Sequence, residues 1–201
     1  MALLYITAAK EAHAEQIIEK SRFIAHIKPV KDRSEAEAYI AQIRSQYKDA
    51  THNVPAFVIG DKQQLVWGSD DGEPGGTAGS PVAMFLQNEG LANVVCVVTR
   101  YFGGIKLGPG GLVRAYTSSA RLALEKAGKA EVREFETLNI RLDYNLLGKL
   151  QNLEKSSDFT IKDIVYSDKA EVCLGFEPEY KMSMDKILSD LCSGKPEIIE
   201  G

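Results

Sequence analysis

The first thirty residues alternate apolar and polar side chains, a pattern typical of half-buried strands. Three segments show it: residues 3–7, 13–18 and 21–30. The third is the clearest, because Phe23, Ala25 and Ile27 fall on one face of an extended chain. We therefore expect the chain to begin with a three-stranded antiparallel sheet.

A helical period follows these strands. Its apolar positions are Ala36, Tyr39, Ile40 and Ile43. Their spacing predicts a helix that Asp32 or Ser34 caps and that runs through Tyr47.

The strand pattern then returns, and it predicts the middle of a sheet. Residues 51–60 and 64–68 bracket the short polar stretch 61–63, which predicts a hairpin. Residues 94–99 form a continuous apolar, β-branched run, as in a central strand. With the helices described below, the order βββαββαβα predicts an α+β domain with its helices on one side of the sheet.

Two glycine-rich loops flank this central strand. They are GEPGGTAG, residues 72–79, and GGIKLGPGG, residues 103–111. The first leads into a helix for which Ser80 is the expected N-cap and Pro81 the first residue. The second leads into a helix near Pro109. Helix starts of this kind attract anions, because unpaired N–H groups and the helix dipole point outward together.

The charges around the two loops are opposite in sign. Between Glu89 and Glu125 there is no acidic residue, and four basic residues fall there: Arg100, Lys106, Arg114 and Arg121. The first loop instead carries Asp70, Asp71 and Glu73. Because a buried arginine needs a partner, we expect the acidic loop to lie beside the basic one. Two interpretations stay open: the glycines and charges only shape the loops, or they form a site for a ligand or partner.

These motifs resemble a known family. The segments ATHN (50–53), DDGEPGGTAGSP (70–81) and VVTRYFGGIKLGPGGLVRAY (97–116) are similar to the signature of the YigZ/IMPACT family. The similarity covers the first two thirds of the chain. One departure is Val54, where relatives often have cysteine.

The resemblance implies both a fold and a role. The fold would be an amino-terminal domain similar to domain IV of elongation factor G, with a ribosomal-protein-like βαβ fold, followed by a ferredoxin-like carboxy-terminal domain. Eukaryotic relatives restrain a translation-initiation kinase by binding its activator protein. Bacterial members resemble nucleic-acid-binding or ribosome-associated proteins.

The carboxy-terminal third supports a second domain. Its pattern predicts strands at 133–143, 159–167, 170–177 and 197–200 and helices at 146–155 and 182–192. The order β-α-β-β-α-β is the split arrangement of the ferredoxin-like fold. We place the boundary at 129/130, where a helix ends at Gly128 and charged residues follow.

Composition narrows the class of protein. The 201 residues suffice for one or two compact domains. No apolar run approaches the length of a membrane span, and the first residues do not resemble a signal peptide. Three cysteines without C-x-x-C spacing fit a reducing cytosol, so we expect a cytoplasmic protein.

Net charge also argues against a general nucleic-acid coat. The whole chain carries −4, divided as +2 over residues 1–129 and −6 over 130–201. Any contact with nucleic acid therefore needs a local patch, for which the segment from Arg100 to Arg121 is the candidate.

Single residues in this region allow more than one role. His52 either fixes a loop or faces a site with Arg100, and we expect no zinc site because no second histidine lies nearby. The three carboxylates would suit a hard cation, but pairing with Arg100 or capping a loop explains them better. Tyr101 and Phe102 could stack on a base or belong to the core.

The predicted binding site combines both loops, with no catalytic residue, metal or cofactor. Its residues are His52, Asp70, Asp71, Glu73, Arg100, Tyr101, Phe102, Gly103, Gly104, Lys106, Gly108, Gly110, Gly111 and Arg114. Two classes of function follow. The first is a non-enzymatic, translation-associated regulator that binds RNA or a ribosome-associated protein. The alternative is an enzyme acting on a phosphorylated or nucleotide substrate at the helix start near Gly108–Gly111. The lack of a nucleophile motif or nucleotide fingerprint favours binding.

Overall fold

The computed structural model describes residues 3–194 and 196–199. The chain forms two compact units, one comprising Leu4–Val132 and the other beginning at Arg133. Together they are a mixed α+β architecture, as expected.

The elements up to residue 133 follow the predicted order. In sequence they are β1 (Leu3–Ala8), β2 (Ala12–Ile18), β3 (Ser21–Pro29), α1 (Arg33–Gln46), β4 (His52–Ile59), β5 (Leu65–Gly68), α2 (Gly79–Asn88), β6 (Val94–Tyr101), α3 (Gly108–Ala127) and β7 (Lys129–Arg133). Strand β7, which the sequence pattern did not separate from the next strand, contains the predicted boundary at 129/130.

Five strands form one sheet in the order β2-β3-β6-β4-β5, with antiparallel neighbours throughout. Strand β6 is central, as its continuous apolar run predicted. The expected three-stranded start was wrong, because β1 pairs with β7 in a separate two-stranded sheet. Residues beside β6 also hold β1: the Ala92 N–H donates to the Ile6 carbonyl at 2.8 Å. Alternation identifies a strand but does not identify its partner.

Helices cover both faces of this sheet, so the expectation of helices on one side was also wrong. Helices α2 and α3 pack on one face, where Phe23, Val54 and Cys96 are buried, and α1 packs on the other against Phe57 and Val95. The apolar run of β6 has no alternation because it supplies core residues to both layers. Val54 has no exposed surface, so a small apolar side chain fits this position.

The second unit has a separate sheet. Its elements are β8 (Glu136–Leu142), α4 (Tyr144–Glu154), β9 (Phe159–Tyr166), β10 (Ala170–Phe176), a short 3-10 turn (Pro178–Tyr180), α5 (Lys181–Cys192) and β11 (Glu197–Ile198). The strand order is β11-β8-β10-β9, all antiparallel. The predicted last strand included Glu200, which lies outside the described residues. Within the described ranges, none of the helices combines the length and apolar character that a membrane crossing requires.

His26 should make the stability of the first unit depend on pH. The side chain lies on β3 with its Nε2 buried and without a hydrogen-bond partner. Burial, assisted by the charge of His13, lowers the pKa of His26 to about 4. On acidification, His26 therefore takes up its proton near pH 6.5 in the unfolded chain, but only near pH 4 in the folded chain. Stability due to this group is complete above pH 6.5 and is lost on acidification.

Lowering the pH from 7 to 5 should therefore reduce the free energy of unfolding of the wild type by about 2 kcal/mol through His26. A His26→Leu variant should lack this part of the pH dependence. The carboxylates that both proteins contain contribute equally, so their effect cancels in the difference between the two proteins. Urea titrations at both pH values measure the difference. Equal pH dependence in the two proteins would contradict this assignment.

Candidate functional site

A buried ion pair joins the first glycine-rich loop to the end of β6. Glu73, in the first loop, accepts a hydrogen bond from Nη1 of Arg100, near the end of β6, with 2.6 Å between Nη1 and Oε1. Their side chains are only 4% and 5% exposed. The acidic loop thus lies beside the basic strand end, as the charges indicated.

Two residues that the sequence analysis did not include complete this pair. The Tyr116 hydroxyl donates to Oε1 of Glu73 at 2.6 Å, and Nη2 of Arg100 donates to the Ser21 hydroxyl at 3.3 Å. Burial and then the bond to Glu73 raise the pKa of Tyr116 far above its ordinary value, so the hydroxyl stays a donor. One general rule could have indicated this contact: the hydroxyl of a buried tyrosine needs a hydrogen-bond partner, and the Glu73 carboxylate is that partner here.

Arg100 is not fully satisfied by these contacts. Its Nε is buried and has no acceptor among the described residues. Its guanidinium lies 5.4 Å from the ring centroids of both Phe23 and Phe102. The group therefore lies between aromatic rings with one N–H unused.

His52 and Asp71 fix the acidic loop to the sheet. Nδ1 of His52 lies 2.8 Å from the Asp71 carbonyl, which can only accept, so this nitrogen donates. Nε2 then lies 3.8 Å from Oε1 of Glu73. The Asp71 carboxylate accepts from the Asn53 N–H at 2.7 Å and from Arg44 at 2.8 Å. His52 thus both holds a loop and faces the Arg100 pair, which were the two roles left open.

Asp70 provides the cap that we assigned to Ser80. Its carboxylate accepts from the N–H groups of Gly76, Ala78 and Gly79 at 2.7, 3.0 and 2.9 Å. Burial raises the pKa of Asp70, but these three donors lower it more, so the net shift is downward. Helix α2 begins at Gly79, one residue before Ser80, so the prediction of Ser80 as N-cap was wrong. The nearby Asp70 satisfies the first amides, and a local side chain is not needed.

The second loop passes close to the β2–β3 turn. The Gly103 N–H donates to the Ser21 hydroxyl at 3.1 Å. Gly104 and Gly108 have φ angles of +87° and +71°. Helix α3 begins at Gly108 without a side-chain cap and without an acidic residue in its first turn.

A pocket of about 290 Å³ opens between the two loops. We call it the Glu73 pocket; its lining consists of Glu73, Pro74, Arg100, Phe102, Lys106, Leu107, Gly108, Pro109 and Leu112. Five of the predicted site residues therefore meet here. Its walls are mostly apolar, with charged groups at a few points, which is the usual composition of a ligand site.

A second pocket, of about 470 Å³, shares Lys106 and Leu107 with the first. We call it the Arg114 pocket; it is also lined by Ile18, Glu19, Ile105, Gly111, Ala115, Ser118 and Arg114 itself. Within the described structure, Lys106 and Arg114 have no ion-pair partner, and both are exposed. The shared Lys106 makes the two pockets neighbours along the start of α3.

Other predicted site residues lie elsewhere. The Tyr101 hydroxyl donates to Asp49 at 3.0 Å, and the Arg22 guanidinium lies over its ring. Because strand side chains alternate, Tyr101 is on the face opposite Arg100, toward α1. Gly110 lies in the first turn of α3 with open space around it. Asp70 and Asp71 serve the loop, as described above.

The acidic loop does not gather the ligands of a metal site. Of the residues that the structure describes, no three His, Cys, Asp or Glu side chains lie close enough to hold an ion together. Asp70 and Asp71 already use their oxygens on backbone N–H groups and Arg44.

Comparison with known proteins identifies the family. A family model described as the Impact N-terminal domain matches residues 19–124, more than half of the chain. The chain belongs to the IMPACT family. The resemblance seen in the sequence motifs is thereby confirmed. A second model, described as a domain of unknown function (DUF1949), matches residues 140–195.

Some relatives of this IMPACT family member align with nearly the whole chain. IMPACT family member YvyE from Bacillus subtilis (strain 168) is 40% identical over 197 residues, covering 98% of this chain and 91% of that protein. A crystal structure described as that of a hypothetical protein is 29% identical with a TM-score of 0.65, covering 98% and 97%.

A third similar protein carries a functional description. The structure of the two-domain translational regulator Yih1 is 27% identical, with a TM-score of 0.38, and covers 64% of this chain and 49% of that one. This description applies to Yih1.

Proposed function

We propose that this IMPACT family member is a non-enzymatic, translation-associated regulator that binds RNA through the groove lined by its two glycine-rich loops. The observation that carries the RNA part is the surface at the start of α3. Among the residues that the structure describes, Lys106 and Arg114 are exposed and have no ion-pair partner, and the first-turn amides of α3 beside them have no side-chain cap. Free cations and free amides are the groups that bind phosphate oxygens.

The translational part follows from what family membership implies, and Yih1 is described as a translational regulator. A cytoplasmic location goes with this role, and all three cysteines are free thiols. The acidic second domain, at −6 overall, suits contact with a protein better than contact with phosphates.

Two finer fold assignments accompany the proposal. In the second unit, the order βαββαβ and the sheet order β11-β8-β10-β9 support a ferredoxin-like domain. The family resemblance supports likeness of the first unit to domain IV of elongation factor G.

The enzymatic alternative is less favoured. Glu73 lines the pocket at the start of α3, and its Oε1 already accepts hydrogen bonds from both Arg100 and Tyr116. Two donors thus already occupy that oxygen, so it is not free to contact a substrate.

Reversing the charge at Lys106 should weaken RNA binding and reduce its salt dependence. In a Lys106→Glu variant, the slope of log K against log[salt] should become shallower by about 0.7–1 for each phosphate group that the variant no longer binds. Fluorescence anisotropy with a single-stranded RNA at several salt concentrations measures this slope. Folding should survive, since Lys106 is exposed and forms no ion pair with any residue that the structure describes.

Lys62→Glu is a matched control. Lys62 is exposed on the β4–β5 turn and lines neither pocket, and the change in net charge is the same. Equal slopes for both variants and the wild type would reject the RNA surface. Recovery of tagged protein from cell extract with and without nuclease then shows whether the groove instead binds a ribosome-associated protein.

A further inference from the structure

We infer that the Glu73 pocket receives one unstacked nucleobase of a single-stranded RNA, and that it prefers bases with an exocyclic amino group over uracil. This inference rests on the proposed function and adds a base preference to it. Adenine, cytosine and guanine carry such a group, and uracil does not.

The carboxylate of Glu73 supplies the preference. Its Oε1 is occupied, because it accepts from Arg100 and from Tyr116, each at 2.6 Å. Its Oε2 has no hydrogen-bond partner in the described structure and yet is not sealed from the surroundings. A carboxylate oxygen beside apolar walls gains from an N–H donor, which an amino group provides. Uracil offers N3–H only between two carbonyl oxygens, which a carboxylate repels.

Arg100 provides a second unsatisfied group at the same place. The residue is 4% exposed and lines the pocket, and its buried Nε has no acceptor in the described part of the chain. A buried polar group without a partner is rare in a folded protein and indicates an absent ligand or water.

The walls suit a flat ring. The Phe102 side chain is 46% exposed, although it lies beside the Arg100 guanidinium at 5.4 Å. An exposed aromatic ring next to an arginine is the usual platform for an unstacked base. The volume, about 290 Å³, lies just under the range of roughly 300–1,000 Å³ for drug-sized ligands, so it fits one ring system better than a whole nucleotide.

The phosphate next to that base has a position at the mouth of the pocket. Lys106 lines the pocket there, and Gly108 begins α3. A side-chain atom at Gly110 would meet nothing within 4 Å, so the first turn is open to a ligand. Base and phosphate thus meet opposite kinds of group, an acceptor at Glu73 and donors at the helix start.

The test changes the RNA and leaves the protein intact. Oligouridine 11-mers carry one central nucleotide: adenosine, purine riboside (adenosine without its amino group), or uridine. Fluorescence anisotropy with the wild-type chain should show about tenfold tighter binding for adenosine than for purine riboside, the value of one hydrogen bond to a charged group. Equal affinities, with salt-dependent binding retained, would overturn the base preference and leave the proposed function standing. Failure of every RNA to bind would overturn both.

A protein variant checks the location of the base. Phe102→Ala should reduce binding of the adenosine oligomer about tenfold, the usual loss when a stacking ring is removed. Phe135→Ala is the control, because Phe135 is likewise exposed (51%) but lies in the other unit. An unchanged affinity in Phe102→Ala would place the base elsewhere and overturn the inference.

Discussion

Replacing Arg100 with methionine should lower the free energy of unfolding by about 3–5 kcal/mol. The side chain it removes is 5% exposed and is the cation that compensates Glu73, itself 4% exposed. Without Arg100 the carboxylate keeps the Tyr116 hydroxyl but remains buried without a positive charge. An uncompensated buried charge is among the few single changes that cost this much.

The double variant Arg100→Met/Glu73→Leu separates the effect of charge from the effect of packing. It should recover part of the stability, because replacing both members of a buried pair with apolar residues is often close to neutral, while the buried Tyr116 hydroxyl loses its acceptor. Urea titrations of the wild type, both single variants and the double variant give the coupling directly. Additive effects would show that Glu73 and Arg100 act independently, contrary to their 2.6 Å hydrogen bond.

Much of the fold could be predicted because its periodicity is local. The alternation in β3, the helical spacing in α1 and the continuous apolar run of β6 each indicated the correct type of element. The partner of β1 and the placement of α1 could not be predicted this way. The partner of β1 and the position of α1 depend on which surfaces meet in the folded chain. A strand that is buried on both faces, such as β6, shows no alternation of apolar and polar residues, so its sequence does not indicate which face a helix covers.

In the candidate site, too, local features of the sequence could be predicted and contacts between distant residues could not. Charge sign along the chain was enough to expect Arg100 beside the acidic loop. The contributions of Tyr116 and Ser21 could not be predicted, since these residues lie 43 and 79 positions away from the partners they bind. Nor could the Asp70 cap, because its carboxylate reaches Gly79 over nine residues of loop. The N-cap preference for serine, which considers only neighbouring residues, indicated Ser80 instead.

The glycines of the second loop show that the sequence alone does not indicate which glycines the surrounding packing requires. The sequence placed Gly103 and Gly110 alike in the predicted binding site. In the structure a side-chain atom on Gly103 would overlap the backbone of Lys20, whereas one on Gly110 would meet nothing within 4 Å. The first glycine is required by the protein's own packing, and the second is not.

Gly103→Ala should therefore destabilise the first unit by about 3 kcal/mol, at the upper end of the cost of overpacking. The added atom meets main chain, which cannot rotate away as a side chain can, and the Gly103 bond to Ser21 would be strained as well. Gly110→Ala is the matched control: it makes the same change within the first turn of α3 and should stay within about 1 kcal/mol of the wild type. Thermal and urea unfolding of the three proteins measures both effects. A small destabilisation in Gly103→Ala would mean that the β2–β3 turn moves aside easily, and the packing of this turn against the second loop would then not hold the site in place.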